Sequence, residues 1–186
     1  TLSVRQKLNP YRTDLYETFL RDLLDGYNFI GITERFDESL AVLQLLLGLQ
    51  TQDMLYLSTK TNGMYDRFRN GCVKIQSSKV TQSMKEYVYT PVFEAFTEGD
   101  VMVYQAVNKS LDLTIDLLGR PTVEKTMQRL QWAQRRAEEK CAGKTKFPCS
   151  NDGKIQEKND CLFADVACGY KCLDEFGASN ISKQAI

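Results

Sequence analysis

The sequence predicts an α/β fold, rich in helix and closed by a disulfide-stapled tail. Three observations carry this. A short, β-branched apolar run, Asn28-Phe29-Ile30-Gly31-Ile32-Thr33, stands between two helical patterns, which is the strand–turn–helix grammar of an α/β domain. Several longer stretches repeat their apolar residues at helical spacing. Five of the six cysteines lie from Cys141 onward, in a polar, loop-rich segment.

Residues 1–11 form a polar arm ending at Asn9-Pro10, a plausible boundary. From Thr13, Leu15, Phe19 and Leu23 recur at helical spacing, and Asp25-Gly26 ends that helix. The run from Asn28 to Thr33 follows as a buried strand. Asp37 is placed to cap the next helix, whose Leu40, Leu43 and Leu47 share a face and whose stop is Gly48. Met54 to Leu57 reads as a second short strand. The polar, basic stretch from Ser58 through Gly63 to Asn70-Gly71 reads as a loop, and Cys72 to Gln76 alternates like an edge strand. A helix is expected from about Lys85 to Phe96, its Tyr87, Tyr89, Phe93 and Phe96 serving as core. Another is capped by Asp100 and carries the stripe Val101, Tyr104, Val107, Leu111, Ile115, Leu118 up to Gly119. Pro121-Thr122 opens a last helix that finishes near Lys140. The organisation is thus an arm at 1–11, an α/β unit at 12–140 and a cysteine-rich tail at 141–186.

Composition narrows the chemistry. The chain has 24 basic and 24 acidic side chains, so it lacks the basic excess of a nucleic-acid binder. Its longest apolar stretch, Leu40–Leu49 interrupted by Gln44, is far short of the roughly 20 residues of a membrane span. The first residue is Thr and no leader pattern follows it, so a processed or trimmed product is expected. There is no histidine. That removes Ser-His and Cys-His nucleophile pairs and leaves Asp, Glu, Lys, Tyr or Cys as any general base.

The cysteines Cys72, Cys141, Cys149, Cys161, Cys168 and Cys172 read as a disulfide framework, and therefore as an oxidising compartment. Zinc is disfavoured because paired C-x-x-C knuckles are missing; the tightest spacing is Cys168-x-x-x-Cys172. Six cysteines allow 15 pairings. The local ring Cys141–Cys149 is the first expectation, because Lys144 to Pro148 looks like a turn that closes it. Two sequons occur. Asn108 falls inside a helix and reads as an ordinary helical side chain; Asn180, in the polar tail, is the glycosylation candidate.

No Walker or dinucleotide glycine motif is present. The stretch Ser58–Gly63 nevertheless combines hydroxyls, a lysine and a glycine, the groups a phosphate needs. Glu34 follows the expected strand, where open α/β sheets place functional groups, but Thr33 or Glu34 capping the next helix is the simpler reading.

The segment Phe29-Ile30-Gly31-Ile32-Thr33-Glu34-Arg35-Phe36-Asp37-Glu38-Ser39-Leu40, with the leucine-rich helix after it, resembles the heparan-sulfate 2-O-sulfotransferase-like family. The resemblance covers roughly residues 12–120, and the tail with Asp160-Cys161 and Cys168-Gly169-Tyr170-Lys171-Cys172 resembles those of algal and protist members. It implies the helix-rich C-terminal half of a P-loop-like sulfotransferase domain. Such enzymes transfer a sulfuryl group from 3′-phosphoadenosine 5′-phosphosulfate (PAPS) to a carbohydrate hydroxyl in the Golgi lumen. Their phosphosulfate loop, 3′-phosphate motif and catalytic His or Glu lie N-terminal to the matched strand, and this chain holds no counterpart. What carries over is a nucleotide-binding loop: Thr59, Lys60, Thr61 and Gly63, with Arg67 and Arg69 beside it. The resemblance leaves two expectations. One is a non-catalytic accessory or structural subunit that needs no cofactor and whose open half-domain face is covered by a protein partner. The other is the C-terminal portion of an active PAPS-dependent enzyme with a carbohydrate acceptor. The compartment is the Golgi lumen, the cell exterior or another organelle lumen.

Overall fold

The computed structural model describes residues 10–58, 63–164 and 166–180. The chain is mostly helical, with one two-stranded antiparallel sheet among the described residues. Helix α1 spans Pro10–Gly26, α2 Phe36–Leu47, α3 Gln82–Tyr87, α4 Pro91–Leu118, α5 Arg120–Cys141 and α6 Tyr170–Asn180; strands β1 and β2 are Tyr65–Phe68 and Gly71–Lys74.

Helix boundaries follow local chemistry, in several places not the chemistry expected. Gly48 closes α2 in the left-handed conformation, its N–H donating to the Gln44 carbonyl. Asp37 does not cap that helix; it lies in the first turn and accepts a hydrogen bond from Gln131 Nε2 at 2.7 Å, joining α2 to α5. Neither Thr33 nor Glu34 caps it. The helices expected around 85–96 and 100–118 are divided elsewhere. The break falls at Val88–Thr90, and α4 runs unbroken through Gly99-Asp100. Pro91 dictates this, since it disfavours helical geometry at Thr90 and is itself suited to a first helical position. Thr90 then caps α4 by accepting from the Phe93 N–H at 3.3 Å.

The expected strands fare differently. Residues 28–32 are not part of the sheet; after them Thr33–Arg35 makes a 3-10 turn. The stretch Met54–Leu57 is likewise no strand: Thr51–Met54 is a 3-10 turn and 55–58 continue without regular structure. The edge strand at 72–76 is real as β2, and its partner β1 comes from the stretch read as loop, with Phe68 opposite Gly71 across a two-residue turn, Arg69-Asn70.

Two buried clusters share α5 as their spine. The first joins Ile32, Ala41 and Val42 to Val107, Leu111 and Ile115 of α4 and to Val123 at the start of α5. The second joins Ala133, Ala137 and Cys141 at the other end of α5 to Leu57 and to Leu173 and Phe176 of α6. The tail is thus more than looped cysteines: its helix completes half of the core. The aromatic run expected in the core lies largely outside it, with Tyr89 88% and Phe96 80% exposed. Tyr87 packs edge-on against Phe93, centroids 5.4 Å apart.

All six cysteines are paired, as Cys72–Cys149, Cys141–Cys172 and Cys161–Cys168. The expected ring Cys141–Cys149 is therefore not formed. Cys141 ends a helix in the second core cluster, where α6 delivers Cys172, while Cys149 faces the β-hairpin and takes Cys72. Three disulfides mark an oxidising environment. No helix among the described residues is long and apolar enough to cross a membrane.

Candidate functional site

The motif Gly31–Ser39 builds a polar joint between elements. Ser39, buried, accepts the Ile32 N–H on its Oγ at 2.9 Å and donates back to the Ile32 carbonyl at 3.3 Å, pinning the extended segment to α2. Arg35 spends its guanidinium three ways. Nε donates to Glu38 at 2.6 Å, one terminal nitrogen donates to Asn108 Oδ1 at 2.7 Å, and the other pairs with Asp112 at 2.9 Å. The Glu38 hydrogen bond outweighs the opposing cost of burial and, with Asp112, raises the Arg35 pKa above its ordinary value. Asn108, read from sequence as an ordinary helical side chain, is one of the three acceptors in this joint.

Replacing Arg35 by Ala strands Glu38, Asn108 and Asp112 together. With the side chain 24% exposed, the expected loss is about 2 kcal/mol, below the roughly 3–5 of a fully buried pair. The conservative change Arg35→Lys recovers only part of this, because one ammonium cannot span three acceptors set around a planar fork. Urea unfolding of the two variants measures the difference.

The candidate nucleotide loop is held at both ends. Before it, the Tyr56 backbone exchanges hydrogen bonds with the Gln134 amide, and the Ser58 N–H donates to Glu138 Oε2 at 3.2 Å, so α5 fixes the approach. After it, the Gly63 N–H donates to the Ile75 carbonyl at 3.0 Å and the Ile75 N–H to the Met64 carbonyl at 2.8 Å, extending the hairpin. Cys72–Cys149 ties that hairpin to the tail, where Tyr65 packs over Gly153. Thr59, Lys60 and Thr61 lie outside the described residues. Of the other candidates, Gly63 has φ +90°, Arg67 lies exposed in β1, and Arg69 occupies the hairpin turn with φ +51° and its guanidinium 5.3 Å from the Phe68 ring centroid. Such a φ is costly for an arginine, by roughly 1–2 kcal/mol. The Asn180 side chain also lies outside the described residues.

Two clefts meet at Tyr56. An open one of about 580 Å³ runs past Glu34, Asp37 and Met127; a deeper one of about 440 Å³ lies between residues 52–57 and the tail. Tyr56 packs edge-on against Phe36 at 5.4 Å, and burial, followed by the charges of Asp37 and Glu138, raises its pKa. Sequence reading missed Tyr56; its only signal was an aromatic residue in a short apolar run. No protein-family model, no curated protein and no solved structure matches the chain.

Proposed function

We propose that the chain is a sulfotransferase-derived module that serves, without catalysis, as an accessory or structural subunit of a larger assembly in an oxidising compartment, the Golgi lumen or the cell exterior. The observation that carries this reading is how the strand–helix motif uses its polar groups. Arg35, Asp37, Glu38 and Ser39 are all engaged in hydrogen bonds that hold α2 to its neighbours. Two further features support it. Residues 28–31 have no ladder partner among the described residues, and Tyr89 and Phe96 present large apolar faces to water. A protein partner would cover them. As such a subunit the chain requires no cofactor.

A second reading, the C-terminal portion of an active PAPS-dependent carbohydrate sulfotransferase, is favoured by the loop between Ser58 and Gly63. Its sequence holds Lys60 and the hydroxyls of Thr59 and Thr61, the groups a phosphate needs, and the flanking Ser58 and Gly63 are bonded to α5 and to the hairpin. Calorimetric titration with adenosine 3′,5′-bisphosphate separates the two. The accessory reading predicts no saturable binding. If the nucleotide does bind, Lys60→Ala should weaken it by about 1–2 kcal/mol, for the removal of one charged hydrogen bond, and the second reading replaces the first.

A further inference from the structure

A cleft of about 440 Å³ lies between the Gln52–Leu57 segment and the tail. Its floor is apolar, from Leu55, Leu57 and Leu173. Its polar lining includes the carboxylates of Asp53 and Asp174 and two tyrosines, Tyr56 and Tyr170. Among the described residues, no lysine or arginine lines it. Its size falls in the range of small-ligand sites, about 300–1,000 Å³. We propose that this cleft binds an alkylammonium group, carried either by a small organic amine or by a lysine side chain of a peptide.

The chemistry runs in one direction. Among the described residues no cation lines the cleft and neither carboxylate forms an ion pair, so the two carboxylates repel anions and attract a positive charge. One Asp53 oxygen accepts the Gln50 N–H at 2.8 Å, which orients that carboxylate. Aromatic faces attract ammonium groups, and the apolar floor suits the carbon stem or methyl groups that an inorganic cation lacks. One wall already makes this contact: the Lys171 ammonium lies 5.7 Å from the centroid of the Tyr170 ring. Lys171 is exposed, so its head can leave the ring to solvent when a ligand's ammonium arrives.

The walls are ordered in advance. Tyr56 is held by Gln134 through its backbone and by Phe36 through its ring. The tail side is set by Gly169, whose φ is +76° and where any Cβ would clash with Leu57 Cδ1 and lie 2.7 Å from Thr145 Oγ1. A site assembled before binding loses less freedom when the ligand is captured. The inference is independent of the sulfotransferase reading, since none of the described lining residues has a role in that reading.

The test is a chemical-shift titration of the oxidised chain at low salt with choline, spermidine and a hexalysine peptide, and with acetate as the anionic control. Choline or spermidine should perturb the amides of residues 52–57 and 167–174. Tyr170→Ala should weaken binding roughly threefold to tenfold, as should Asp174→Asn, an exposed substitution that leaves the core intact. Lys171→Met should tighten binding about twofold or more, because it removes the competing internal ammonium. Binding by the peptide alone supports the proposal with a protein as the source of the amine; binding by the small amines supports it with a metabolite. It is overturned if none of the amines binds, if acetate binds as well as choline, or if Tyr170→Ala and Asp174→Asn both leave affinity unchanged.

Discussion

Serine at both Cys141 and Cys172 is expected to lower stability by about 3–4 kcal/mol. The bond closes a sequence separation of 31 residues, and the loop-closure freedom returned to the unfolded chain is of that order. The location adds to the effect. Cys141 is completely buried at the end of α5, so the substitution also leaves a hydroxyl inside the second core cluster. In a chain of this size the midpoint of thermal unfolding should fall by about 10 °C, measurable by calorimetry with the other two disulfides intact. A shift of only a degree or two would mean that α6 is held without this bond.

Phe176→Ala is expected to cost about 3–5 kcal/mol. Phe176 is 2% exposed and is the largest fully buried side chain among the described residues, packed with Leu173 against Ala133 and Ala137. Facing alanines let it approach the α5 backbone closely, and small neighbours cannot collapse into the space it leaves. Lys140 also holds its ammonium 5.5 Å from this ring centroid, a weaker attraction that the alanine variant removes as well. Because the disulfide and Phe176 both dock α6, their effects should not add; the triple variant should lose less than the sum. Full additivity in denaturant unfolding would contradict the picture of α6 docking as one unit.

The long helices were legible because their stripes are long. Val107, Leu111 and Ile115 repeat at helical spacing and all are buried, and Gly119 separates α4 from α5 where the sequence placed the stop. The short apolar runs were ambiguous for a physical reason: Asn28–Thr33 and Met54–Leu57 suit a buried strand, but a strand requires a ladder partner that local pattern does not reveal. Strand β1 was missed because Arg67 and Arg69 made it look like loop, although Asn70-Gly71 marked the turn. Helix α6 was hidden by the cysteines in and before it, Cys172 and Cys168, although Leu173 and Phe176 already had helical spacing. Pairing was out of reach because it depends on α5 and α6 meeting, which is a tertiary fact. The candidate loop was legible as residue types alone; what anchors its ends, Glu138 and Ile75, comes from distant parts of the chain.

Native mass spectrometry of the protein purified from its own source, without reducing agent, tests the accessory-subunit reading most directly. That reading predicts an assembly in which a subunit carrying this sequence, with all three disulfides, is held by at least one different chain in fixed ratio. An isolated monomer near 21.3 kDa with no partner, or a longer single polypeptide that turns over PAPS, would contradict it.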